Sequence, residues 1–180
     1  MTAPSYLRAL EPSDAEEMLG LRLKNRSWLQ AFEPIRPERL WTLPEQRREL
    51  ELEQELRRED RRYVHGIFLT EDDRLVGRVS LDNVVRGAWQ NATLGYFVAQ
   101  EHNGRGIATQ AVGDALRFGF EEIGLHRVQA GVMPRNVASI RVVEKAGFRY
   151  EGMSPRYLQI NGEWEDHNMY AITVEDWQGL

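Results

Sequence analysis

The chain has 180 residues, 42% of them apolar and 28% charged, a balance that suits a packed globular domain and excludes a disordered one. It has no cysteine, which excludes disulfides, thiolate metal sites and a cysteine nucleophile. The net charge of −5 argues against direct nucleic-acid binding and suits a cationic partner, though ordinary solubility charge gives the same figure.

No apolar run has the length of a membrane span, and no basic segment followed by an apolar one opens the chain. A cytoplasmic protein without membrane contact, folded as a single domain over residues 1–180, is expected.

In chain order, residues 5–10 read as a first strand. Pro12, followed by acidic residues, marks the start of a helix whose apolar residues are Met18, Leu19, Leu21 and Leu23. Residues 25–41, with two prolines and several aromatics, read as an irregular loop that packs; Trp28, Phe32 and Trp41 are candidates for a groove wall or for core. Residues 45–62 carry dense opposite charges at helical spacing, with Leu52 and Leu56 as anchors.

From residue 63 the apolar period becomes two. Strands are expected over 63–70, 75–84 and 89–99, then a long helix over 104–123, a strand over 128–133 and a short helix over 136–146 that ends at Gly147. Strands 148–160 and 163–174 flank Asn161-Gly162, a pair that favours a two-residue type I′ hairpin. The sum is a mixed α/β (α+β) fold with a mostly antiparallel sheet.

The stretch 96–112 (YFVAQEHNGRGIATQAV) runs from a strand through a glycine turn into a helix. Such a turn presents free backbone N–H groups and the positive end of a helix dipole to an anion. The third glycine of a dinucleotide fingerprint is replaced by Thr109, and no Gly-Lys-Ser/Thr ending follows. The spacing alone therefore allows either a pyrophosphate cradle or a plain tight turn. His65, His102, His126 and His167 match no metal spacing, and no metal is expected.

Residues 103–109 (NGRGIAT) resemble the pyrophosphate loop of the GNAT acetyltransferases, Gln/Arg-x-x-Gly-x-Gly/Ala: Gly106 and Ala108 match, and Asn103 departs at the first position. Residues 136–148 (NVASIRVVEKAGF) resemble the family's Asn-x-x-Ser/Ala helix that ends in Glu-Lys-x-Gly-Phe. Residues 83–87 and 25–34, and the tail 157–177 with Asp176-Trp177, are similar to the RimJ/RimL-type subgroup, which acetylates the α-amino group of ribosomal proteins.

The resemblance implies a GNAT fold with a splayed strand pair and acetyl-CoA as co-substrate. It places the pantetheine beside Tyr96, Phe97 and Val98, and the pyrophosphate on Asn103, Gly104, Arg105, Gly106, Ile107, Ala108 and Thr109. Asn136 and Ser139 would complete the cofactor contacts, with the Val98 N–H near the developing oxyanion. The family's usual acid, a tyrosine seven residues beyond the asparagine, is Val143 here. Ser139, one turn beyond Asn136, is the candidate donor to the leaving sulfur, with a hydrogen bond to its own helix as the alternative. Glu33 and Asp82 are candidate bases or structural carboxylates.

The acceptor implied is the N-terminal alanine of a ribosomal or other protein. An α-amino group is about one-tenth neutral at pH 7, whereas lysine is neutral to only a few parts in ten thousand, so a weak base favours N-termini. The other readings are a small amine (aminoglycoside, polyamine or amino-acid derivative) and an acetyl-CoA-binding assembly factor with weak catalysis. A monomer or a homodimer fits either.

Overall fold

The computed structural model describes residues 4–178. Seven strands form one sheet in the order β1-β2-β3-β4-β5-β7-β6. They are β1 (Ser5–Ala9), β2 (Tyr63–Leu69), β3 (Leu75–Val85), β4 (Asn91–Val98), β5 (Arg127–Val132), β6 (Arg149–Ile160) and β7 (Glu163–Thr173). Every neighbouring pair is antiparallel except β4 with β5. The helices are α1 (Ala15–Lys24), α2 (Arg26–Leu29), α3 (Leu43–Arg58), α4 (Ile107–Arg117), α5 (Val137–Lys145) and α6 (Val174–Gln178). Among the described residues, no helix is long and apolar enough to cross a membrane.

Alternation along the strands feeds two cores. On one face, Val79, Leu81, Ala92, Leu94, Val98 and Val128 pack under α4 and α5, with Ile107, Val112, Leu116 and Val143. On the other, Val64, Phe68, Leu75 and Phe97 pack under α1 and α3, with Met18 and Leu50. Asn161 and Gly162 both have positive φ, 47° and 88°, so the β6–β7 connection is the expected type I′ turn.

Several expected boundaries move. Residues 25–41 contain α2 and a 3-10 turn, Glu38–Trp41, rather than irregular chain alone. A 3-10 turn at Pro12–Asp14 precedes α1, and β4, expected from residue 89, begins at Asn91, leaving Trp89 half exposed. The long helix starts at Ile107 and ends in a π-wound turn, Phe118–Glu122.

The anchor of α3 also differs. Leu52 is 50% exposed, and Leu50 is the buried leucine, beside buried Gln46. The inward stripe is Gln46, Leu50 and Glu53, because this face meets arginines as well as apolar core: the Arg78 guanidinium donates to Glu53 at 3.0 Å. A strictly apolar stripe would leave that cation unpaired.

His65 lies on β2 with the Phe118 ring 4.8 Å away. The Arg57 guanidinium lies 3.3 Å from Nε2 and, having only donors, places that nitrogen as acceptor of a neutral imidazole. Burial, and secondarily the charge of Arg57, pushes the His65 pKa from 6.5 down to about 4. In that window the unfolded chain binds a proton here and the folded chain does not. This share of stability is therefore complete above pH 6.5 and is lost as pH falls toward 4. His65→Gln is expected to reduce the stability lost between pH 7 and pH 4.5 by on the order of 2 kcal/mol, read by urea unfolding at both pH values. An unaltered difference between the two pH values would contradict the assignment.

Candidate active site

The parallel pairing of β4 with β5 covers only Asn91–Thr93 against Arg127–Gln129. Beyond it β4 continues to Val98 beside β3, and β5 continues to Val132 beside β7. The two strands thus diverge into a gap in the middle of the sheet. The Ala99 N–H donates to Val76 O at 2.7 Å, on the β3 side. Backbone groups alternate sides along a strand, so Tyr96 and Val98 turn their N–H and C=O groups into the gap.

At the wide end of the gap, β4 leads through a 3-10 turn (Gln100–His102) to the glycine turn. Gly104 and Gly106 have φ of 75° and 80°, left-handed values that a side chain resists. Gly106 is the residue that caps α4, whose first helical bond runs from Gln110 N to Gly106 O at 3.0 Å. The N–H groups of Ile107, Ala108 and Thr109 precede that bond and are left free by the helix. Asn103, Gly104, Arg105 and Gly106 are exposed, while the Ile107 side chain is buried in the core. No acidic residue occupies the first turn of α4, and Arg105 has no ion-pair partner among the described residues.

Asn136 caps α5, its Oδ1 accepting from the Ser139 N–H at 3.2 Å. This leaves the Asn136 amide nitrogen as the group available to a ligand. The Tyr96 hydroxyl lies 2.7 Å from Ser139 Oγ and 3.2 Å from Ser139 O, tying β4 to α5 across the gap. Burial pushes the Tyr96 pKa up to about 12, against a smaller opposing effect of Ser139. Phe97 and Val98 are buried, in opposite cores; Val98 can reach a ligand through its backbone, whereas the Phe97 backbone, like that of Ala99, faces β3, so the structure does not bring Phe97 to the gap, contrary to expectation.

Paired residues share a face, so Asp82, Thr93, Gly95, Gln129, Gly131 and Met169 line one side of the sheet around the gap. All six are half-buried: α1 and α3 lie over β3 and β2 and leave this trough open. The loop around Glu33 walls one side. Asn161 N–H donates to Glu33 O at 3.1 Å, and Arg135 donates to Ala31 O at 3.0 Å and to Glu165 at 2.7 Å. The Trp28 ring lies tilted against Phe32, with centroids 5.9 Å apart, and packs on the second core, and Arg26 covers Trp41.

The two candidate bases are both held by arginine. Glu33 pairs with Arg22 at 3.2 Å and Arg36 at 3.6 Å. Asp82 pairs with Arg62 and accepts from Ser80 Oγ at 2.7 Å. Burial lowers the Arg22 pKa to about 10, against the raising effect of Glu33. Either carboxylate would have to exchange a partner before taking a proton from an amine directly.

Sequence reasoning missed Asn25 and the Tyr96 hydroxyl. Asn25 is buried, donates to Leu21 O at 2.8 Å and accepts from the Gln100 N–H at 2.9 Å, fixing the end of α1 to the start of the glycine turn. Gln100 lies 75 positions further along the chain, so no local pattern announces that tie.

An anion cradle at a helix N-terminus that opens into an unpaired strand edge fits one kind of ligand, a diphosphate joined to an extended amide-bearing arm. Those are the parts of coenzyme A, the co-substrate of acyl-CoA-dependent transferases. The family described as Acetyltransferase (GNAT) domain matches residues 6–149, and the chain belongs to it. It is an N-acetyltransferase that uses acetyl-CoA.

The chain is 48% identical over 171 residues to the probable N-acetyltransferase YjcK of Bacillus subtilis, covering 95% of this chain and 94% of that protein. It is 30% identical to the [ribosomal protein uS5]-alanine N-acetyltransferase of Escherichia coli, covering 95% and 88%. The structure of Mycobacterium smegmatis RimJ in complex with CoA-disulfide superposes with a TM-score of 0.91 at 33% identity, covering 96% of this chain and 83% of that one.

Gly106→Val forces a branched side chain into a left-handed position and stands in the path of a phosphate oxygen. It is expected to weaken coenzyme A binding at least about tenfold by calorimetry, a loss of about 1.4 kcal/mol. Affinity equal to that of the parent would remove the diphosphate from this turn.

Proposed function

We propose that the chain acetylates the α-amino group of a protein N-terminus, with alanine as its first residue, on a ribosomal or other protein. The open trough carries this reading: a polypeptide can lie along the half-buried face from Asp82 to Met169, whereas a small amine would need closer enclosure. The relatives named for uS5 alanine acetylation support it over nearly the whole chain.

Acetyl-CoA supplies the activated carbonyl. The free N–H groups of Ile107, Ala108 and Thr109 hold its diphosphate with Arg105, and Gly104 and Gly106 let the oxygens come close. The edge of β4 at Tyr96 and Val98 pairs with its amide arm as with a neighbouring strand, and the Asn136 amide nitrogen donates to the same arm. The Val98 N–H meets the negative charge that builds on the acyl oxygen.

The amine nitrogen bonds to the carbonyl carbon while the carbon–sulfur bond breaks and its electron pair leaves on sulfur. Ser139 Oγ–H donates to that sulfur. The amine's proton departs through water in the trough, toward the carboxylates of Glu33 and Asp82. A water-mediated base suits an α-amino group, already about one-tenth neutral at pH 7.

The test is thiol release from acetyl-CoA with two basic peptides of one sequence, one with a free N-terminal alanine and one blocked there with its lysines intact. Turnover confined to the free N-terminus is expected. Equal turnover of both, or turnover of a polyamine alone, would overturn the acceptor assignment.

A further inference from the structure

We propose that Tyr96 is a positioning residue for the transfer step: its hydroxyl holds Ser139 Oγ so that the serine's own hydrogen points into the gap. The inference deepens the proposed function and rests on Ser139 as the group that meets the leaving sulfur.

The contact is 2.7 Å and joins two elements that differ by 43 positions in sequence, so it is a tertiary tie rather than a local helix contact. A phenol has one hydrogen and a serine hydroxyl has one, and the same phenol oxygen also lies 3.2 Å from Ser139 O. Two arrangements follow. With the phenol hydrogen on the carbonyl oxygen, Ser139 must give its hydrogen to Tyr96 to keep the short bond. With the phenol hydrogen on Ser139 Oγ, the serine hydrogen is released for a third partner. An acceptor in the gap, such as sulfur gaining charge, selects the second arrangement.

In that state Tyr96 donates to Ser139 and Ser139 donates onward, and each bond polarises the next. The phenol's charged form is disfavoured by burial, so it remains a donor throughout the neutral range. Without the phenol, a serine in the first turn of a helix turns its hydrogen to a carbonyl one turn back. The aromatic ring has a separate structural duty, as it packs against the main core, and Tyr96→Phe preserves that packing.

The experiment is a double-mutant cycle on kcat with Tyr96→Phe, Ser139→Ala and the double variant, assayed with acetyl-CoA and the alanine-initiated peptide. Coenzyme A affinity and thermal unfolding are measured alongside. Ser139→Ala is expected to lower kcat about 100-fold, and Tyr96→Phe about tenfold, each well beyond any loss in coenzyme A affinity. In the Ser139→Ala background, Tyr96→Phe is expected to have no further effect, because its only route to the reaction has been removed.

An unchanged kcat in Ser139→Ala would overturn the role of Ser139 and this inference with it. A large effect of Ser139→Ala with an unchanged kcat in Tyr96→Phe, or an effect of Tyr96→Phe that persists undiminished in the double variant, would overturn the positioning role alone. So would a loss of activity in Tyr96→Phe matched by a fall in its unfolding temperature.

Discussion

Strands β4 and β5 pair for three residues and then part, and the site depends on that interruption. A sheet interior normally leaves no backbone group without a partner, and an orphaned N–H or C=O costs free energy comparable to a lost hydrogen bond. Here Tyr96 and Val98 turn theirs toward an opening. The sheet stays intact around it because β4 keeps β3 as a neighbour and β5 keeps β7. The opening is an unfilled strand position, so its natural occupant is an extended molecule with amides of its own.

The remaining features line up along that opening. The glycine turn and the first turn of α4 stand at its wide end, where β4 finishes, and supply N–H groups at the positive end of a helix. The cap of α5 and the Tyr96–Ser139 tie lie on one side of the sheet. The trough lies on the other. On the proposed assignment, a donor held in the gap would meet its acceptor from the face opposite the helix that carries Ser139. The arginine-held carboxylates, Glu33 with Arg22 and Arg36 and Asp82 with Arg62, fasten the wall of the trough.

Local patterns were readable where local physics decides them. Asn161-Gly162 specified its turn because both residues tolerate positive φ. Gly104 and Gly106 marked the left-handed approach to α4, and the three-residue spacing of Asn136 and Ser139 put both on one helical turn. The register that opens the gap was not readable, since it is set by β7 inserting beside β5 from forty residues further on. The Tyr96 hydroxyl pointed to no partner until α5 was placed beneath it. On α3, charge at more than half of the positions hid the inward stripe: leucines four apart suggested Leu52 as well as Leu56, while the arginines this face meets, Arg22, Arg36 and Arg78, go with Gln46, Leu50 and Glu53. The charged partners of Glu33 and Asp82 were likewise invisible, and they change what those carboxylates can do.

The central claim is that the unpaired edge of β4 is where the acyl donor lies. Amide hydrogen exchange at single-residue resolution tests it, with and without saturating coenzyme A. The account predicts that the Tyr96 and Val98 amides exchange faster than that of Ala99 in the free protein, since Ala99 is already bonded to Val76, and that both become protected on binding while Ala99 changes little. Protection that appears at the glycine turn but leaves Tyr96 and Val98 unchanged would place the ligand outside the gap and contradict the account.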